Sequence, residues 1–297
     1  MTITLSVAVT KYFVAKRAQR LSEHTLSDYN NTFRKFSSFL GKDPRVDKIT
    51  STSIAQFLAN MNGVSKKTTL NYHTGLSSLW NYLVKLGYVK QHVVRLVDPP
   101  RPEDKLIVPF DREEIVDLLA KTENTKAAVR NRAIILLLLD TGIRASELCS
   151  LRVKDIDLEK RKIRAFGKGS KERSIPFHIS TQKALEIYFD IRKLKGYNKR
   201  NEPVFMTYYR IPSQLDRIDL LHVLGKIGER AEVASCHPHR FRHTFAIQFL
   251  RNGGNIYTLQ ALLGHTTLDM VKRYLAIAQT DLDGDHEKAS PVKIWNL

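Results

Sequence analysis

The run Val97-Asp98-Pro99-Pro100-Arg101-Pro102 is the feature that most limits how this chain folds. Its prolines have no backbone donor and a fixed φ near −65°, so neither a helix nor a paired central strand passes through them. A boundary is expected there, with a first domain over residues 1–97, a linker over 98–109 and a second domain over 110–297. At 297 residues in all, each domain is long enough to bury a core of its own.

Hydrophobic periodicity reads the first domain as a helical bundle. One helix is expected over Leu5–Ala18. A second opens after Ser22 with Tyr29, Phe33, Phe36 and Phe39 at helical spacing, and a third opens at Ser51-Thr52-Ser53, whose hydroxyls suit an N-cap. A fourth runs from Ser65 through Tyr72, Leu76, Leu79 and Leu83 to a stop at Gly87. In the second domain Asp111 caps a helix that begins Arg112-Glu113-Glu114, and an apolar helix over Ala127–Leu139 ends at Thr141-Gly142. Lys162–Phe166 and Arg173–Phe177 read as short strands flanking the turn Gly167-Lys168-Gly169-Ser170-Lys171. Beyond them the pattern returns to helices, including Asp269–Ala278. The fold class expected is mainly α with a small β-sheet.

Charge narrows the partners. The formal net charge is +18, and both parts share it. Residues 1–102 hold 15 Lys+Arg against 5 Asp+Glu, and residues 103–297 hold 33 against 25. Such a field seeks a polyanion, either nucleic acid or an anionic membrane. The longest apolar run, Ala133 to Leu139, stops at Asp140, well short of the roughly 20 residues a span needs. Met1 to Val9 lacks the basic region and cleavage site of a signal peptide. Two cysteines, Cys149 and Cys236, imply no disulfide framework and fit a reducing cytoplasm. A DNA clamp with basic surface on both domains is the natural expectation.

Cleaving a phosphodiester with side chains alone requires fixed cations for the non-bridging oxygens, a nucleophile in line, and a proton donor for the leaving oxygen. Candidates for each part stand in the second domain. Arg144 follows Gly142 at a helix junction, with Glu147 one turn on to orient it. Lys168 sits at a glycine-flanked hairpin tip, where the G-x-x-x-x-G-K-[ST] spacing of a P-loop is missing. His237-Pro238-His239-Arg240-Phe241-Arg242-His243-Thr244 packs three histidines and two arginines together, too many for packing alone. A zinc site is the rival reading of His239 and His243. However, H-E-x-x-H requires a Glu between them, and the arginines would repel a cation. His265, after Gly264, and Tyr274, beside Lys272 and Arg273, complete the set.

Taken in order, Arg144, Lys168, His239-x-x-Arg242, Gly264-His265 and Tyr274 resemble the active-site signature of the tyrosine recombinase (phage integrase) family. The spacings are similar above all to the bacterial Xer members. The resemblance spans nearly the whole chain and rests on Thr141-Gly142-Ile143-Arg144-Ala145-Ser146-Glu147-Leu148 and on His239-Arg240-Phe241-Arg242-His243-Thr244-Phe245-Ala246. It implies a SAM-like, core-binding helical domain followed by a catalytic domain. It further implies a metal- and ATP-independent enzyme of site-specific recombination, with no cofactor and a 3′-phosphotyrosyl intermediate. By the same resemblance, Arg144 and Arg242 hold the phosphate and Lys168 protonates the leaving oxygen. His239 accepts the proton of the nucleophile Tyr274, and His265 donates to a phosphate oxygen. Glu147 and His243 support them. Double-stranded DNA is the implied partner, engaged by a homotetramer on two sites or a heterotetramer with a second recombinase. A type IB topoisomerase with related chemistry and a DNA-binding regulator on the same fold are the alternatives. Phe241 and His237 depart from the usual box without removing a reacting group. The tail from Asp281 is more similar to those of mobile-element members, with Ile294, Trp295 and Leu297 as candidate anchors on a neighbouring protomer.

Overall fold

The computed structural model describes residues 3–102, 107–122, 126–167, 172–194, 200–208, 211–265, 267–278, 286 and 290–295. The chain divides into two compact units, Met1–Lys105 and Leu106–Leu297.

The first unit is built from α1 (Leu5–Ala18), α2 (Glu23–Leu40), α3 (Ser51–Ala59) and α4 (Lys66–Lys85). Their boundaries follow from local chemistry. Ser22 and Ser65 cap α2 and α4 by accepting the backbone N–H of Thr25 and Thr68, and Gly41 closes α2 in the left-handed conformation. Thr50, rather than the Ser51–Ser53 triplet, caps α3 by accepting the Ser53 N–H. The cap is the last extended residue, so the hydroxyls expected to cap fall inside the first turn. Leu5, Tyr12, Phe33, Phe36, Phe57, Leu76, Leu79, Trp80 and Leu83 form the core. Tyr12 is its hub, meeting Phe33 and Tyr82 edge-on and placing its hydroxyl 2.6 Å from that of Ser78. An edge-on ring pair adds about 0.5–1.5 kcal/mol beyond area burial.

The second unit contains α5 (Arg112–Ala120), α6 (Lys126–Thr141), α7 (Ala145–Ser150), β1 (Ile156–Asp157), β2 (Lys162–Phe166), β3 (Glu172–Pro176), α8 (Ile179–Leu194), α9 (Arg217–Arg230), α10 (Pro238–Arg251), α11 (Ile256–Leu263), α12 (Asp269–Ala278) and the short α13 (Pro291–Ile294). Asp111 and Glu114 form a reciprocal capping box at the start of α5. The sheet is an antiparallel meander in the order β1-β2-β3, with Ile163 opposite Ile175 and Ala165 opposite Arg173. Strand β3 begins one residue before the expected Arg173.

Two apolar clusters organise this unit. The larger joins Ile134, Leu137 and Leu138 of α6 to Ile163, Ile175, Leu185, Tyr188, Leu224 and Phe241. The smaller joins Ala246, Ile247 and Leu250 of α10 to Leu259, Leu263, Val271, Tyr274 and Ala278. Helix α10 thus contributes Phe241 to one cluster and its later turns to the other. Among the described residues no helix is long and apolar enough to cross a membrane.

Candidate active site

The site begins where α6 stops. Gly142 has φ +58°, and a Cβ there would run into the ring of Phe245, so glycine is required on both counts. The reversal buries Ile143 and leaves Arg144 extended at the N-cap of α7. Glu147 lies at the third position of that helix. Its Oε2 accepts the Arg144 backbone N–H at 3.0 Å, and its Oε1 accepts Nη1 of the Arg144 side chain at 3.0 Å.

The same carboxylate is only 4% exposed and takes a second guanidinium. Arg173 of β3 donates Nη1 to Oε1 at 2.8 Å and Nη2 to Oε2 at 2.7 Å. Burial alone would raise the Glu147 pKa. The bonds and charge of Arg173, followed by those of Arg144, outweigh it and hold the group below the usual carboxylate range.

Helix α11 ends at Gly264, which caps it with φ +63° and ψ +46°. Its last carbonyls have no intrahelical donor and carry the negative end of the helix dipole. Three arginines use them in succession. Arg173 Nε donates to Leu262 O at 2.8 Å, Arg242 Nη2 to Leu263 O at 2.7 Å, and Arg144 Nη2 to Gly264 O at 2.9 Å. Arg242 Nη1 reaches back to Gly142 O at 2.7 Å, tying the two glycine turns together.

On α10 the basic cluster sorts into two groups. His237 is the N-cap, its Nδ1 accepting the Arg240 N–H. Arg240 turns away from the site, donating to both Glu114 oxygens at 2.7 and 2.8 Å and to Ala234 O and lying 3.9 Å over the Phe110 ring. These two residues hold structure. His239, Arg242 and His243 share the other face, as the helical spacing i, i+3, i+4 requires.

His265 Nε2 lies 2.8 Å from Arg242 Nη2. A guanidinium only donates, so Nε2 accepts and the neutral ring carries its proton on Nδ1, a buried atom with no partner among the described residues. Burial first, then Arg242 and Arg144, push His265 down to about 4. Arg242 is itself pushed down to about 10 by burial and by Arg144, and stays charged at neutral pH.

Tyr274 on α12 is 3% exposed, and its ring joins the smaller apolar cluster. Its phenolic oxygen lies 2.9 Å from His243 Nδ1. Burial raises the phenol's pKa, partly offset by Arg242, Arg273 and Arg144. His243 is pushed down to about 4, first by burial and then by His239, His237, Arg242 and Arg273. His239 is exposed and stacks beside His243, with ring centroids 6.3 Å apart; partial desolvation of its ring, followed by His237 and Arg242, lowers its pKa too.

Hydrogen bonds thus link Arg144 to Glu147 and Arg242 to His265 along the end of α11, and pair His243 with Tyr274. The phenol meets His243 rather than His239, and Lys168 lies outside the described residues. Arg173 was missed by sequence reasoning. It had one signal: strand alternation puts it on the same inward face as Ile175, where a charge needs a buried partner. Among the described residues no three His, Cys, Asp or Glu side chains come together to hold a metal ion.

Comparison with known proteins bears on these residues. A model described as "Phage integrase family" matches residues 109–280, and one described as "Phage integrase SAM-like domain" matches residues 7–97. The chain is 30% identical over 296 residues to "Tyrosine recombinase XerD" of Oceanobacillus iheyensis, covering 97% of this chain and 99% of that one. It is 29% identical over 283 residues to "Tyrosine recombinase XerC" of Pelobacter propionicus, covering 92% and 91%. In fold it resembles the Tn1549 transposon integrase in complex with a circular intermediate DNA, with TM-score 0.78 and 19% identity over 96% of this chain and 98% of that one. It also resembles the XerH site-specific recombinase bound to palindromic difH substrate, with TM-score 0.74 and 24% identity over 96% and 83%.

Proposed function

The chain belongs to the phage integrase family, as a tyrosine recombinase of the Xer type that performs site-specific DNA recombination, and on that premise we propose that Tyr274 is its nucleophile. The phenolic oxygen attacks a phosphodiester of double-stranded DNA and forms a 3′-phosphotyrosyl link. Because the link conserves the phosphoester bond, the reverse attack by a 5′-hydroxyl reseals a strand without ATP, and the reading calls for no cofactor.

Arg144 and Arg242 hold the non-bridging oxygens. Each guanidinium carries five N–H donors, and the described residues engage only part of each set. The remainder are available to the phosphate, where preset donors stabilise charge that grows toward the transition state. His265 donates to a phosphate oxygen through Nε2, which requires its ring proton to move from Nδ1 to the Nε2 that Arg242 releases as it turns to the phosphate. Lys168 protonates the leaving 5′-oxygen, Glu147 fixes Arg144, and His239 stands exposed beside His243. The observation that carries the reading is the seating of Arg242 and Arg144 on the adjacent carbonyls of Leu263 and Gly264, with His265 bonded to Arg242, in the unit that also buries Tyr274 beside His243.

The same reading takes the enzyme to be cytoplasmic and to work as a tetramer on two DNA sites, alone or with a second recombinase. Trp295, which follows α13 as its C-cap and is exposed, supplies an apolar anchor for a neighbouring protomer. The test is a nicked suicide duplex, on which Tyr274 should become covalently attached and identifiable by peptide mapping. Tyr274→Phe should bind the duplex and form no adduct. An adduct on that variant, or on another residue, overturns the assignment. Two-site substrates should yield exchanged strands; relaxed circles alone would mean a topoisomerase.

A further inference from the structure

The phenol of Tyr274 has one hydrogen-bond partner among the described residues, and that partner is His243. We propose that His243 is a catalytic residue, whose Nδ1 receives the phenolic proton as Tyr274 attacks. The proposal rests on Tyr274 being the nucleophile and assigns the proton acceptor within that site.

Geometry carries it. Nδ1 and the phenolic oxygen are 2.9 Å apart, within reach for direct transfer. The rings are tilted by 53° with centroids 5.6 Å apart, so the phenol approaches the edge of the imidazole, where the nitrogen lone pair lies, rather than its face. His239 lies one helical turn back, stacks on His243 with ring centroids 6.3 Å apart, and is exposed. It shows no bond to the phenol. The two elements involved, α10 and α12, pack along their length, so the pair is held by helix packing and not by a loop.

The charges facing His243 explain when it becomes basic. On α10 these are His237, His239 and Arg242, and on α12 Arg273. Burial first, and then these neighbours, keep the ring neutral at physiological pH, with the phenol as donor and Nδ1 as acceptor. A phosphodiester held by Arg144 and Arg242 brings negative charge into that field and raises the basicity of His243. Proton transfer is thereby coupled to DNA being in place. In the step itself the phenolic O–H bond breaks and an N–H bond forms at Nδ1. The phenolic oxygen bonds to phosphorus, the bond from phosphorus to the 5′-oxygen breaks, and that oxygen takes a proton from Lys168. Resealing runs the same transfers backward.

The experiment is single-turnover adduct formation on saturating suicide duplex from pH 5 to 9, with DNA affinity and thermal melting measured on each variant. His243→Asn keeps an acceptor near the Nδ1 position but cannot hold a proton. It is expected to lower the rate about 100-fold or more, in the range of a lost general base, to leave DNA affinity unchanged, and to abolish the acid limb of the pH profile. His243→Ala is expected to regain rate with added imidazole, in proportion to the imidazole free base; a merely structural role would give no such rescue. The proposal fails if His243→Asn cleaves within a few-fold of wild type, if imidazole gives no rescue of a folded, DNA-binding His243→Ala, or if the acid limb disappears instead in His239→Asn. Failure of the parent reading looks different, because Tyr274→Phe would then still form an adduct.

Discussion

Replacing Arg173 by Met tests whether the Glu147 carboxylate is the electrostatic anchor of the site. The substitution preserves most of the side-chain stem and removes the two donors at 2.8 and 2.7 Å from Glu147 together with the Nε bond to Leu262 O. Glu147 is 4% exposed and the Arg173 side chain 12%, so solvent replaces little of what is lost. Stripping one partner from a buried ion pair costs about 3–5 kcal/mol. Arg144 remains beside the carboxylate, which places the expected loss near the lower end, at about 3 kcal/mol. For a domain of this size that corresponds to about 6–12 °C in Tm.

The coupling is sharper than the loss. Glu147→Gln alone leaves Arg173 buried without its counter-ion, whereas the double variant removes both charges. A double-mutant cycle in urea, followed by far-UV circular dichroism, should therefore show the double variant more stable than the sum of single effects by about 2 kcal/mol, as contacting charges do. Suicide-duplex cleavage by Arg173→Met at a temperature where it is folded should be slowed with DNA affinity little changed, because Glu147 then draws on Arg144 alone. Single effects that add to within about 0.5 kcal/mol, or an Arg173→Met loss under about 1 kcal/mol, far below the usual cost of breaking a buried pair, would refute the anchor.

Three further outcomes follow from the same geometry. His243 and His265 are held down to about 4 in the folded protein against roughly 6.5 unfolded, so below that value the unfolded chain binds more protons. Urea midpoints should be highest above about pH 6.5 and fall as pH drops toward about 4, and His265→Asn should flatten part of that slope; a profile level across this window contradicts the burial of these rings. Gly264→Ala puts a Cβ 3.1 Å from Arg173 Nη1 at φ +63°, costing about 1–2 kcal/mol for the left-handed backbone. Adduct formation should fall by more than the melting shift accounts for, and an unchanged rate would mean the carbonyl row need not be rigid. Arg240→Met loses the Glu114 pair and the stack on Phe110 and should lower Tm while the folded fraction keeps its cleavage rate. A folded variant that cannot cleave would put Arg240 back in the site.

How much of this was legible in the sequence depends on which atoms carry it. The limits of α1 and β2 and the ends of α4 followed from periodicity and caps, since those signals are local. The two-residue strand β1 was invisible because so short a segment shows no alternation. The box on α10 was recognised as functional, but the letters could not separate Arg240, committed to Glu114, from Arg242, committed to the site. That division depends on which face of α10 meets α5. His239 and His243 share a face one turn apart, and only the packing of α12 decides which of them the phenol reaches. Backbone carbonyls have no letter at all, so the row from Leu262 to Gly264 could be found only in three dimensions.

That row also answers how three guanidiniums stay together before any phosphate arrives. At separations of a few ångströms their mutual repulsion is substantial in a partly buried site, and carboxylates would be the obvious remedy. Among the described residues one carboxylate, Glu147, is paired to Arg144 and Arg173, and Arg242 has none. The rest of the work falls to carbonyl oxygens at the C-terminus of α11 and at Gly142. A carboxylate there would neutralise an arginine and compete with the phosphate for it. A carbonyl at a helix end orients the guanidinium through a fixed dipole and leaves its net charge intact. The positive field is thus preset and unspent, which is the condition under which electrostatic stabilisation adds most to the transition state and least to reorganisation.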